Sequence, residues 1–151
     1  MIVSSVTPVE GPYLGGMLRL AWQWIRERIY SEVLAAGYDD LNPAHVGLFR
    51  YPGIDRLRPS ELADQLQITR QSVNDLLGHL EQRGYITREP DPADGRARVV
   101  RLTTTGRELQ RIVSGQAQAA EREIAEVLGP RRFAQLRTAL EELTRHVTAD
   151  R

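Results

Sequence analysis

The sequence predicts a mostly α-helical chain carrying one small β-hairpin, and three observations predict it. Apolar residues recur at spacings of three and four in several separate stretches, the pattern of helices that bury one face. Two short segments rich in β-branched or aromatic residues, Tyr85 to Glu89 and Arg98 to Leu102, flank Pro90-Asp91-Pro92-Ala93-Asp94-Gly95, a turn-forming run. The length of 151 residues suits a single core, so residues 1–151 are read as one domain.

The elements follow in order. Leu14, Met17, Leu18, Ala21, Ile25, Ile29 and Val33 form one stripe, predicting a long helix from Leu14 to about Ala35 that stops near Gly37. Asn42 offers an N-cap with Pro43 at the first helical position, opening a short helix through about Phe49. The loop Arg50 to Arg58 holds Pro52 and Gly53, and Pro59 then begins a third helix with Glu61 in its first turn. That helix carries Leu62, Ala63 and Leu66 and ends near Gln67, because Thr69 is already the N-cap of the next one. In the fourth helix Val73, Leu76, Leu77 and Leu80 fall at i, i+3, i+4 and i+7, and Gly84 stands where a left-handed residue closes the helix. After the hairpin, Thr103 caps a fifth helix bearing Leu109, Ile112, Val113, Ala120, Ile124 and Val127, which stops at Gly129-Pro130. A last helix sets Phe133, Leu136, Leu140, Leu143 and Val147 on one stripe.

Composition narrows the chemistry. With no cysteine there is no disulfide framework, thiolate metal site or cysteine redox switch. All 20 basic residues are arginines, which removes the phosphate-cradling lysine of nucleotide-binding loops and any Schiff-base chemistry. His45, His79 and His146 lie far apart with no i+4 partner, so no metal or other cofactor is expected. Neither a nucleophile elbow nor a dinucleotide fingerprint is present, so the chain is not read as an enzyme. Met1 to Glu10 holds no basic residue and no apolar run, and no later stretch is apolar enough to span a bilayer. A cytoplasmic protein with no membrane partner is the expectation. Formal net charge is zero, yet Arg96, Arg98, Arg101, Arg107 and Arg111 face only Glu108 in their stretch, which concentrates positive charge around the hairpin.

Two helices joined by a tight turn and followed by a hairpin make a winged helix-turn-helix, here residues 41–103, flanked by helical segments 12–36 and 104–148. In that architecture the second helix of the pair enters the major groove of double-stranded DNA. Thr69 to Arg83 suits the role, with an apolar face for docking and a short, amide-bearing face opposite. Gln71 and Asn74 can pair with adenine, Arg70 with guanine, and Thr69 and Ser72 can hold phosphates near the helix N-terminus. Asp75 shares that face, and Arg98 adds to the positive charge of the hairpin.

Ser60-Glu61-Leu62-Ala63, Leu80-Glu81-Gln82-Arg83-Gly84-Tyr85-Ile86 and Asp91-Pro92-Ala93-Asp94-Gly95-Arg96, running on to Leu102-Thr103 and Gly106, together resemble the MarR-type transcriptional regulators. The resemblance spans roughly Pro43 to Leu109. It implies that Arg96 enters the minor groove with Asp94 orienting it, and that the flanking helices form the base of a homodimer. It also implies a repressor that occupies a pseudo-palindromic operator and responds to a small aromatic effector, with Trp22, Trp24, Tyr38, His45 and Phe49 in segments that could line the effector cleft or simply pack. Arg58 stands where such proteins usually carry a capping Ser or Thr, and so predicts either a weakened cap or an arginine on a phosphate. The dimer has a physical argument of its own, since the apolar stripes of the flanking helices exceed what the winged domain can cover. A winged-helix module that binds protein rather than DNA is the alternative, although such a module has no need of the recognition-helix amides together with Arg96.

Overall fold

The computed structural model describes residues 11–50 and 53–149, so the readings made on Met1 to Glu10 and on Pro52 lie outside the described residues. In chain order the elements are α1 (Leu14–Ala35), α2 (Pro43–Gly47), α3 (Pro59–Leu66), α4 (Arg70–Gln82), β1 (Ile86–Pro90), β2 (Arg98–Leu102), α5 (Thr104–Leu128) and α6 (Pro130–Ala149). The chain is thus mostly helical with a two-stranded antiparallel hairpin, as expected.

Capping explains where the helices stop. The Gly37 N–H bonds the Leu34 carbonyl and the Tyr38 N–H that of Val33, with Gly37 at φ 95°, so α1 ends in a Schellman motif. The same arrangement closes α4, where Gly84 at φ 78° donates to Glu81 and Tyr85 to Leu80. That motif holds Tyr85 out of the hairpin, so β1 begins one residue later than the pattern suggested. α2 opens with a reciprocal cap: the Asn42 side chain accepts from the His45 N–H at 3.0 Å, and the His45 Nδ1 accepts from the Asn42 N–H at 3.2 Å. It ends at Gly47, short of Phe49. The link between α3 and α4 is three residues, 67–69, and Gln67 meets it in the left-handed region at φ 56° with its side-chain amide donating to the Asp64 carbonyl.

The core lies between α1, α2, α4, the hairpin and the first half of α5. Val33, Val73, Leu77, Leu80, Val100 and Leu109 are wholly buried there. The hairpin pairs Ile86 with Leu102 through Pro90 with Arg98. A further rung joins β2 to the loop before α3, because Arg56 donates to the Val100 carbonyl at 2.7 Å and Val100 to that of Leu57 at 2.9 Å. This rung ties the wing to the helix pair.

Only the second half of the α1 stripe reaches the core. Ile29 and Val33 are buried and Ile25 packs against them, whereas Leu14, Met17 and Leu18 are exposed. α6 contains no buried residue, and its stripe residues Leu136, Leu140, Leu143 and Val147 are 37% to 48% exposed. No helix among the described residues is long and apolar enough to cross a membrane.

Candidate nucleic-acid interface

α4 is the second helix of the helix-turn-helix pair, the position of a recognition helix in that architecture. Its Thr69 cap is formed as the sequence suggested, with the side-chain oxygen accepting from the Ser72 N–H at 3.0 Å and sharing a 2.8 Å hydrogen bond with the Ser72 hydroxyl. Val73, Leu77 and Leu80 dock the helix on the core. Thr69, Arg70, Gln71, Ser72, Asn74 and Asp75 are all exposed on the opposite side. The arrangement is therefore a rigid platform bearing hydroxyls, amides and one guanidinium.

Besides Thr69 and Ser72, three of these side chains already have partners. The Gln71 amide nitrogen donates to the Asp75 carboxylate at 2.8 Å. Arg88 of β1 donates to the Asn74 side-chain oxygen at 3.1 Å and to its main-chain carbonyl at 3.3 Å, and its Nε lies 3.4 Å from Glu81. The motif pattern did not single out Arg88. Its signal was present only as a cation at an inward position of a strand beside the recognition helix.

The wing tip is built from two aspartates. The Asp91 carboxylate accepts from the Ala93 N–H at 2.8 Å and the Asp94 carboxylate from the Arg96 N–H at 3.1 Å, successive side-chain turns that fix the loop. Asp94 thus orients Arg96 through the main chain rather than through the guanidinium. The Arg96 and Arg98 side chains are exposed, and among the described residues neither forms an ion pair.

The Arg58 side chain makes no cap hydrogen bond to α3, the weakened cap that the sequence suggested. Its guanidinium grips Asp91 at 2.5 Å and 2.6 Å, joining the start of α3 to the wing, while the Glu61 carboxylate caps the Arg58 N–H at 2.7 Å. The main-chain bond from Ala93, followed by Arg58, holds the Asp91 carboxyl below the usual carboxylate range, and the same contact raises the arginine. At the other end of the hairpin, the Thr103 hydroxyl donates to the carbonyls of Gly84 and Tyr85 and accepts from the Gly106 N–H at 3.1 Å. One side chain therefore pins the end of α4, the base of the wing and the start of α5.

The five residues considered for an effector cleft are not brought together. A cleft of about 400 Å³ between α1 and α5 is lined by Trp22, Ile25, Ile29, Arg50, Val113, Ser114, Ala117 and Glu121. Of the five, only Trp22 faces it. The Arg50 guanidinium lies 4.5 Å from the Trp22 ring centre, and burial, followed by Arg26, lowers its pKa. Trp24 instead stands near Arg28, with 5.8 Å from guanidinium to ring. Tyr38 and Phe49 pack around the Tyr85 ring at 6.0 and 6.5 Å, and His45 stacks on His79 at 4.2 Å. These three side chains pack against His79 of α4 and against Tyr85, which follows it.

A helix pair with a three-residue link, an exposed polar recognition face and a basic wing define a winged helix-turn-helix of the kind found in transcription regulators. Residues 39–97 match the MarR family. A segment of 54 residues, 36% of this chain, is 33% identical to the transcriptional activatory protein BadR of Rhodopseudomonas palustris and spans 31% of that protein's length. Among solved structures, the transcriptional regulator Tm0710 from Thermotoga maritima is 26% identical, with 89% of this chain and 93% of that one covered at a TM-score of 0.58. CouR from Rhodococcus jostii RHA1, solved bound to p-coumaroyl-CoA, is 18% identical, with 91% and 95% covered at a TM-score of 0.69, and supports the fold. Residues 39–97 are thus similar to the MarR family, and the fold is that of solved transcriptional regulators.

Proposed function

We propose that this protein regulates transcription by binding a pseudo-palindromic DNA operator as a homodimer, each copy placing α4 in a major groove and Arg96 in the adjacent minor groove. The observation that carries this reading is the joint exposure of Arg70, Gln71 and Asn74 on α4 and of Arg96 at the tip of a loop held rigid by Asp91 and Asp94. Side chains on α4 read base edges, Thr69 and Ser72 meet phosphate, and Arg96 and Arg98 follow the backbone and the minor-groove potential. Dimerisation covers the exposed α1 and α6 stripes and sets the two recognition helices one helical turn of DNA apart. Repression follows where the occupied operator overlaps a promoter.

The cleft beside Trp22 and Arg50 supports a response to a small aromatic effector, with the guanidinium available to an anionic group. Such a regulator acts in the cytoplasm, where its operator is. Footprinting on the DNA flanking the coding region tests the reading. A protected, two-fold symmetric site supports it. Binding that shows no sequence preference at any salt concentration overturns it in favour of a protein-interaction module.

A further inference from the structure

We infer that Arg88 is a positioning residue that fixes the hydrogen-bond polarity of Asn74, so that this point on the recognition helix selects guanine or thymine rather than adenine. The inference rests on the DNA-binding reading above and goes beyond it, because it assigns a base class to one position and places the determinant on the wing strand.

An asparagine reads adenine by using both ends of its amide: the nitrogen donates to N7 and the oxygen accepts from the N6 amino group. Here the oxygen is engaged. Arg88 Nη1 donates to it at 3.1 Å, Nη2 holds the Asn74 main-chain carbonyl at 3.3 Å, and Glu81 lies 3.4 Å from Nε. The amide cannot be turned round, since a guanidinium has only donors and requires the oxygen to face it. The side chain of Arg88 is 22% exposed and is held by two hydrogen bonds to Asn74 and an ion pair with Glu81, so Asn74 is approached from a fixed direction. What Asn74 presents outward is its NH₂ group, a pure donor. A second donor brought to the oxygen would also meet the positive charge of the guanidinium. The best-matched major-groove partners are guanine, with O6 and N7 both acceptors, and thymine, with O4, because adenine offers N7 only beside the N6 amino donor, which needs the acceptor that Arg88 occupies.

Gln71, one turn earlier on the same face, is set the other way. Its nitrogen must face the Asp75 carboxylate, which only accepts, and the 2.8 Å bond leaves the Gln71 oxygen outward as an acceptor. The recognition face therefore alternates in polarity, acceptor at Gln71 and Asp75 and donor at Asn74. Arg88 controls only the second of these.

Selection from a random DNA pool tests the assignment, with Asn74→Ala used to identify the position in each half-site that Asn74 reads. For the unaltered protein that position should be guanine or thymine. In Arg88→Met, which keeps the aliphatic stem and removes the donors, the preference for guanine or thymine over adenine there should fall by about tenfold. The position read by Gln71 should not change, and Arg88→Lys should keep the original consensus, whereas a merely structural role would weaken binding at all positions alike. Adenine at the Asn74 position in the unaltered protein overturns the inference, and this arm stands even if Arg88→Met does not fold. An unchanged consensus in a folded Arg88→Met overturns it as well. A parent protein that enriches no consensus overturns the DNA-binding reading, and the role of Arg88 with it.

Discussion

Gly106 lies directly against the main-chain carbonyl of Tyr85: a Cβ at residue 106 would stand 2.1 Å from that oxygen and 3.3 Å from the Leu102 side chain. The oxygen cannot retreat, because it accepts from both the Thr103 N–H at 3.1 Å and the Thr103 hydroxyl at 3.0 Å. Gly106→Ala should therefore push α5 off the base of the wing and destabilise the protein by about 1–3 kcal/mol, as overpacking does elsewhere. Urea unfolding at fixed protein concentration should show a lower midpoint. An unchanged midpoint would mean that the Thr103 clamp is slack in solution.

A second expectation concerns acid. His45 is buried, its Nδ1 accepts the Asn42 N–H, and its ring stacks on His79 at 4.2 Å with an interplanar angle of 12°. Burial, followed by the charge of His79, lowers its pKa from the ordinary 6.5, and Asp40 opposes this in part. Asp40 in turn accepts from the Tyr85 hydroxyl at 2.7 Å and lies 4.0 Å from the Arg83 guanidinium. The unfolded chain thus binds a proton at a higher pH than the folded one. Stability is fully present above about pH 6.5 and declines as pH falls below it, with the loss complete once pH passes under the folded-state value. Unfolding curves between about pH 5 and 8, the range in which histidine changes charge, should show this decline, and His45→Gln should flatten it. Equal slopes in the two proteins would place the proton elsewhere.

Much of the fold was legible because it is written in local chemistry. Gly37 and Gly84 end helices by the left-handed conformation they take, Asn42, Thr69 and Thr103 begin them by capping, and the Asp91 to Gly95 run makes the wing turn. The same local signals placed the exposed face of α4. What was not legible depends on residues distant in sequence. His45 and His79 stack across 34 positions, Arg58 crosses 33 to reach Asp91, and Arg88 crosses 14 to reach Asn74. No periodicity records such pairs, so Arg58 read as a weakened cap or a phosphate contact and Asn74 as an uncommitted amide. Of the aromatic residues weighed between an effector cleft and packing, Tyr38 and Phe49 pack on Tyr85 and His45 on His79, contacts that periodicity does not record either. Helical spacing says which residues share a face, but not what that face meets.

The dimer has a direct test in Leu140→Glu. α6 buries none of its side chains within the chain, and Leu140 is 37% exposed. In an isolated protomer the substitution should be nearly neutral. In a dimer it buries unpaired charge in each copy, at a cost of several kcal/mol per site. Sedimentation equilibrium at micromolar concentration should find the parent as a dimer and the variant as a monomer, with operator binding lost along with the dimer. A parent protein that sediments as a monomer removes the basis for a symmetric operator.

The wing separates two kinds of contribution. Arg96 is exposed and without an ion pair among the described residues, so Arg96→Ala should leave the melting temperature nearly unchanged. On DNA its guanidinium releases counterions at a narrow minor groove, once per subunit. The variant should bind the operator more weakly, and the slope of log affinity against log salt should become shallower by roughly one to two units per dimer. Asp91 acts differently, since it touches Arg58 and the Ala93 N–H and is not expected to meet DNA. Asp91→Ala frees Arg58 and loosens the turn that aims Arg96, so affinity should fall. The salt slope should not become shallower, because no phosphate contact is lost and the removed charge is negative. Asp94→Ala should behave like Asp91→Ala, through the lost bond to the Arg96 N–H. If Arg96→Ala binds as tightly as the parent at every salt concentration, the wing does not touch DNA, and a shallower slope in Asp91→Ala would show that Arg58 rather than Arg96 carries the phosphate contact.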